Sequence, residues 1–273
     1  MMRPSTSSDI VLIKLGGSLI TDKARPETPR PEVIARLARE IAQAAGNTSC
    51  RLIVGHGSGS FGHVAARRFG LAGGIEGIRS ADQLPGVSLT QQRAAALHRL
   101  VVEALAEAGT LPYSIAPSSC IVTAAGQPAA FADEPLLRAL ENGLLPVLYG
   151  DVVMDREQGA AICSTEKVFE TVARCLLDRG RTLRQALWLG ETDGLYDPSG
   201  HTIPHLSTAG FEEAARAIGA PKGTDVTGGM RLRLETALTL ARLGVPSLLL
   251  NGLTPGLLGK ALQGETVPGT EIT

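Results

Sequence analysis

Aromatic residues are scarce in this chain: one Trp, three Tyr and five Phe among 273 residues. So few flat rings argue against the stacking platforms that bind single-stranded nucleic acid. Charge of one sign is missing too. The formal net charge is −1 and no run of like charges occurs, which argues against a dedicated nucleic-acid surface. The four cysteines, Cys50, Cys120, Cys163 and Cys175, are scattered and form no C-x-x-C pair, so neither a zinc framework nor a disulfide framework is expected. They read as buried, reduced thiols of a cytoplasmic protein. No apolar run approaches the roughly 20 residues needed to cross a bilayer. The opening "MMRPSTSSD" is short and polar, unlike a secretory leader. A Walker A loop is also absent, since no glycine-lysine-Ser/Thr run exists.

What is present is a chain with 44% hydrophobic and 19% charged residues, long enough for one large α/β domain or two closely joined lobes. Strand-length apolar runs occur at 10–15, 51–55, 112–117, 144–150, 185–190 and 245–252. Their continuity suits strands covered on both faces, as in a parallel sheet. Helical periods fall between them, at Pro31–Ala45, Leu89–Ala108, Lys167–Asp178 and Met230–Leu243. The expected fold is α/β: an open, mostly parallel sheet between helical layers, with right-handed crossovers. A weak boundary between lobes is expected near Gly159–Thr165, and the glycine-rich stretch 70–77 reads as a mobile loop over a site.

Two glycine-rich turns follow the first two strands and open at the carboxyl edge of the sheet, where such sheets bind ligands. The first is "KLGGSLITDK", with Lys14 ending a strand, Gly16, Gly17 and Ser18 in the turn and Lys23 beyond it. The second is "GHGSGSFGH" (55–63), which contains a G-x-G-x-x-G spacing at Gly57, Gly59 and Gly62. A dinucleotide site would require a strand soon after, ending in an acidic residue. Glu76 and Asp82 lie instead in a glycine-rich loop, so NAD is rejected. What is left is phosphate bound by backbone amides and lysines.

Several side chains admit two readings. Lys14 is either a snorkelling lysine or, with Lys23, the positive charge that phosphoryl transfer demands. His63 is either a helix-start histidine or a donor to an anionic substrate, and His56 reads as a bystander. Arg233, one turn into the helix after "DVTGGM" (225–230), reaches nucleotide phosphates or is simply solvated. Asp151 and Asp155 in "YGDVVMD" assist Mg²⁺ or cap a turn, with capping favoured.

Together "KLGGSLITDK", "GSGSFGH", "GDVVMD", "TDGLYD", "DVTGGM" and a C-terminal "GTEI" resemble the amino-acid kinase superfamily. Within it, the loop ending in Ser-Phe-Gly-His is similar to the isopentenyl phosphate kinase branch. The resemblance spans Lys14 to Ile272. It implies ATP-dependent phosphorylation of isopentenyl phosphate with Mg²⁺, a homodimer, an acceptor lobe over 1–160 and an ATP lobe over 161–273. It places Lys14, Gly16, Gly17, Ser18, Gly59, Asp193, Gly229 and Arg233 at ATP. Ser58, His63 and Gly150 fall at the acceptor, and Lys23 becomes a transition-state cation. Two positions depart from the pattern: Arg233 stands where a lysine is usual, and Glu166 where an aspartate is. The same anion cradle also suits a fosfomycin-type kinase or one for another small phosphate or phosphonate. A non-catalytic nucleotide-binding subunit is disfavoured by the retention of Lys14, Lys23 and His63.

Overall fold

The computed structural model describes residues 9–71, 81–208 and 228–273. Residues 72–77 of the expected glycine-rich loop and Asp225–Thr227 of the "DVTGGM" motif lie outside the described residues.

Along the chain the strands are β1 (Asp9–Leu15), β2 (Arg51–His56), β3 (Pro112–Ser114), β4 (Ile121–Ala124), β5 (Gln127–Phe131), β6 (Leu145–Tyr149), β7 (Asp151–Asp155), β8 (Gly159–Cys163), β9 (Thr182–Gly190), β10 (His205–Leu206), β11 (Ser247–Asn251) and β12 (Thr270–Ile272). The helices are α1 (Gly17–Ile20), α2 (Pro31–Asn47), α3 (Gly59–Arg68), α4 (Leu84–Glu107), α5 (Pro117–Cys120), α6 (Glu134–Glu141), α7 (Thr165–Asp178), α8 (Gly228–Arg242) and α9 (Leu257–Gln263).

Eight strands form one sheet in the order β10-β12-β11-β9-β1-β2-β6-β3, every pairing parallel except β11 with β12. All six strands expected from apolar runs lie in this sheet. The run at 112–117 pairs only over Pro112–Ser114 before the chain turns into α5. The helix expected from Leu89 begins five residues earlier at Leu84, since Pro85 is tolerated in a first turn. A second sheet, β5-β4-β7-β8, was not anticipated.

The pleat of β1 explains both cores. Ile10 and Leu12 face a cluster with Phe169, Val172 and Trp188, while Val11, Ile13 and Leu15 face another with Leu37, Ile41 and Leu97. Lys14 therefore projects on the Leu12 side, the side covered by α7 and α8. The parallel strands also bring the ends of β1, β2, β6, β9 and β11 to one edge, where the next residues are glycines or a polar loop.

Candidate active site

At that edge each turn is tied to its neighbour. Gly16 N donates to Leu189 O (2.9 Å), Gly57 N to Leu15 O (3.0 Å), Gly150 N to His56 O (3.0 Å) and Gly252 N to Gly190 O (2.8 Å). The turns after β1 and β2 touch so closely that side chains are excluded. A Cβ on Gly17 would stand 2.7 Å from Gly59 N, and one on Gly57 would stand 2.9 Å from Gly17 N. Gly59 adopts φ +50°, a left-handed conformation natural to glycine, and a Cβ there would lie 2.2 Å from Thr21 Oγ1. The two predicted cradles thus form one continuous glycine floor.

Lys14 is buried and paired with Glu166, the second residue of α7. The snorkelling reading of Lys14 is overturned, because its ammonium ends in protein and not in water. Burial lowers the Lys14 pKa, with Arg233 and Lys23 pushing the same way, against the attraction of Glu166. Burial alone would raise the Glu166 carboxyl, but Lys14 and then Arg233 hold it below its ordinary range. Each partner thus favours the charged form of the other.

Arg233 is only 8% exposed, which overturns the solvated-surface reading. Its Nη1 lies 2.7 Å from where a Gly190 Cβ would stand and its Nη2 3.4 Å from the equivalent point on Gly16. Its Nε is buried with no hydrogen-bond partner. Burial lowers its pKa, offset in part by Glu166. An arginine stays charged in proteins. Two buried cations facing one carboxylate leave excess positive charge against the glycine floor, an arrangement that an anion completes.

Lys23 lies exposed in the turn closed by the Thr21–Pro29 bridge, and its charge lowers the pKa of both Lys14 and His63. His63, in α3, is exposed on one side and crowded on the other. That crowding, then Lys23 and Arg67, lowers its pKa and favours the neutral ring. Ser58 caps the start of α3 next to Gly59, and Ser18 lies half-buried in α1 beside Gly17. Gly150 packs against Thr165, which starts α7 and donates to His56 O at 2.6 Å.

On the far side, Asp193 is exposed after β9, where its Oδ1 accepts from Asn251 Nδ2 at 3.0 Å. Gly229 is exposed in the first turn of α8. Asp155 accepts backbone N–H bonds from Gly126, Glu157 and Gln158, and Asp151 from Ser118 and Val152. Both make the turn-capping contacts favoured for them. All four cysteines are free thiols, Cys50 and Cys163 buried, Cys120 and Cys175 only partly so.

Residues unmarked in the sequence reading join the site. Thr21 and Ser60 bridge the two turns, since Ser60 N donates to Thr21 Oγ1 (3.0 Å) and Thr21 Oγ1 to Gly17 O (2.7 Å). His56, read as a bystander, is fully buried, and its ring contacts Gly57 O and His98. Thr21 lies inside a quoted motif, four residues after Gly17, and that helical spacing was the available signal. Nothing local singles out His98.

Residues 9–251 match the amino acid kinase family. The chain is 34% identical over 274 residues to the isopentenyl phosphate kinase of Methanothermobacter thermautotrophicus, covering 97% of this chain and 99% of that protein. It is 31% identical to the isopentenyl phosphate kinase of Haloferax volcanii, covering 96% and 98%. An X-ray structure of isopentenyl phosphate kinase superposes with a TM-score of 0.78 at 28% identity, covering 96% of this chain and all of that one.

Proposed function

The chain belongs to the amino acid kinase family, within it to the isopentenyl phosphate kinases, and on that premise we propose that it transfers the terminal phosphoryl group of ATP to isopentenyl phosphate. An oxygen of the acceptor phosphate forms the new P–O bond as the bond to ADP breaks, giving isopentenyl diphosphate. The observation that carries this reading is the buried Lys14–Glu166 pair with the buried Arg233, whose Nε has no hydrogen-bond partner among the described residues, set under the joined glycine floor. Phosphoryl transfer asks a protein mainly for positioning and for charge to match the transferred oxygens.

In this reading Lys14, Gly16, Gly17, Ser18, Gly59 and Arg233 hold ATP phosphates, with Asp193 and Gly229 along the nucleotide. Glu166 holds Lys14 charged and in place. Ser58, His63 and Gly150 hold the acceptor phosphate, and Lys23 neutralises charge as the phosphoryl group moves. A neutral His63 donates one N–H, which suits a phosphate oxygen. The five-carbon tail would lie against the small apolar cluster of Val87, Val152 and Ala160, which begins two residues past Gly150 and is flanked by Leu71 and Ile162. We read residues 1–160 as the acceptor lobe and 161–273 as the ATP lobe, with the glycine turns and Lys14 of the first lobe reaching across to the ATP phosphates.

Among the described residues no group of three or more His, Cys, Asp and Glu is placed to hold a metal ion. Mg²⁺ is therefore read as arriving on the phosphate oxygens of ATP, where it screens their charge. A homodimer fits the exposed Leu111, just before the edge strand β3, and Tyr113 on that strand, with Leu100 of α4 exposed as well. We also propose a cytoplasmic location, where ATP is supplied. No described helix is long and apolar enough to cross a membrane.

The test is ADP release with Mg-ATP and isopentenyl phosphate, fosfomycin in parallel, for wild type and His63→Ala. Turnover on isopentenyl phosphate that falls roughly a hundredfold in the variant is expected, as for loss of one preorganised donor. No wild-type turnover on it, with ATP still bound, would sink the substrate assignment; preference for fosfomycin would redirect it.

A further inference from the structure

Behind the floor lies a buried polar chain that the mechanism above does not use. His56 Nδ1 is 3.1 Å from Gly57 O, His56 Nε2 is 3.0 Å from His98 Nδ1, and His98 Nε2 is 2.7 Å from Ser114 Oγ. Both rings stack with Tyr149, at centroid distances of 5.7 and 4.3 Å. The His56 and His98 rings are 0% and 5% exposed as residues, so their partners are the ones named.

The proton positions follow from elimination. A carbonyl oxygen only accepts, so His56 Nδ1 carries hydrogen. In a neutral ring its Nε2 must then accept, which makes His98 Nδ1 the donor. His98 Nε2 is left as an acceptor, and the Ser114 hydroxyl donates to it. Burial keeps both rings neutral, with pKa values lowered to about 4 for His56 and about 3 for His98, and Lys14 repels a proton on His56 further. The chain thus has one direction, Ser114 to His98 to His56 to the Gly57 carbonyl.

A trans peptide points its N–H opposite to its C=O. Drawing the Gly57 carbonyl back toward His56 therefore turns the Ser58 N–H the other way. Gly57 N is already held by Leu15 O, so the one rotation left to this turn is the Gly57–Ser58 peptide itself.

We propose that His98 is a positioning residue for the acceptor site: through His56 it fixes the Gly57 carbonyl and so presents the Ser58 amide to the acceptor phosphate. This rests on the reading of Ser58 as an acceptor contact. Most of the residues read as holding ATP phosphates (Lys14, Gly16, Gly17, Ser18 and Arg233) lie on other segments, so the effect is expected chiefly at the acceptor.

His98→Phe keeps an aromatic ring against Tyr149 and removes the donor to His56. The expected result is a KM for isopentenyl phosphate raised about tenfold, as for one hydrogen bond lost, with the KM for ATP within about twofold of wild type. His98→Asn, whose amide nitrogen replaces Nδ1, restores most of the loss. In ¹⁵N-labelled wild type, the ring nitrogens of both His56 and His98 should report the Nδ1–H tautomer, a readout that needs neither substrate nor variant. An unchanged acceptor KM in folded His98→Phe, or an Nε2–H tautomer at His56, overturns the proposal. Absence of wild-type turnover on isopentenyl phosphate removes the acceptor reading itself, and this role with it.

Discussion

Ser60 and Thr21 join two turns that are 39 residues apart in sequence, through a 3.0 Å bond from the Ser60 amide to the Thr21 hydroxyl. The same Thr21 hydroxyl donates to Gly17 O, and Ser60 Oγ accepts from Thr28 N at 3.2 Å, so the Lys23 turn is pinned to the same point. Two buried hydroxyls, those of Thr21 and Ser60, therefore hold the ATP-side turn, the acceptor-side turn and the segment that carries Lys23. Thr21→Val keeps the shape and removes the hydroxyl. It should destabilise the fold by about 1–3 kcal/mol through the orphaned Ser60 amide. Since the floor loosens on both sides, KM should rise for both substrates, and Thr21→Ser should recover it. Urea unfolding together with two-substrate kinetics checks this; a loss confined to one substrate would contradict the shared hinge point.

Gly59 is the most constrained position of the floor. Its φ of +50° is unfavourable for an L side chain, and the Cβ would collide with the Thr21 hydroxyl just described. Gly59→Ala should therefore separate the turns and lower kcat/KM by roughly a hundredfold or more, since small misplacements at a transfer site cost that much. The corresponding change at Gly46, near the end of α2, where nothing lies within 4 Å of the built Cβ, serves as the control for substitution in open space. If Gly59→Ala retained full kcat/KM, tight contact between the turns would not be needed for transfer.

Arg233 should show opposite effects on stability and on ligand binding. Its guanidinium is buried beside Lys14 and leaves Nε without a partner, which costs stability in the free protein. Arg233→Met should raise the free protein's stability by about 1–2 kcal/mol while shrinking the thermal shift that ATP produces. Melting curves with and without Mg-ATP read both. A variant less stable in both conditions would mean that Arg233 is structural and not held ready for phosphate.

The main sheet was legible because strands buried on both faces are continuous apolar runs, and "IVLIKL" and "QALWLG" cannot hide in a polar background. The second sheet was not. Its strands are only four or five residues long, two of them, "GAAIC" and "QPAAF", are rich in alanine and partly exposed, and neither period stands out. Within the site, glycine spacing and an isolated lysine marked Lys14 and both turns. Their pairings carried no mark: Glu166 stood out only as a departure from the family pattern, and it meets Lys14 across 152 residues, while His98 meets His56 across 42. Such contacts are made by the sheet order, which brings β2 beside β6 and α7 over β1's Leu12 side. Arg233 was ambiguous for the same reason: its helix position says one turn from the start, but only the packed sheet says that the turn faces inward.

The buried histidine pair also predicts how the protein responds to acid. In the unfolded chain both rings titrate near 6.5, whereas in the fold they are lowered to about 4 and about 3 by burial. As pH falls from 6.5 toward 4, the unfolded state takes up protons that the folded state refuses, so stability is lost across that window. Each ring should contribute a slope of about 1.4 kcal/mol per pH unit there. Stability from this source is fully present above pH 6.5 and falls no further below about 3, where both rings are protonated in either state. His98→Phe removes one of the two titrations, so its unfolding free energy between pH 6 and 4 should decline less steeply than that of wild type, by about that same slope. Denaturant midpoints measured at half-unit pH steps give the comparison directly. Parallel curves for the two proteins would mean that His98 is protonated alike in folded and unfolded chains, and would contradict its burial as a neutral ring.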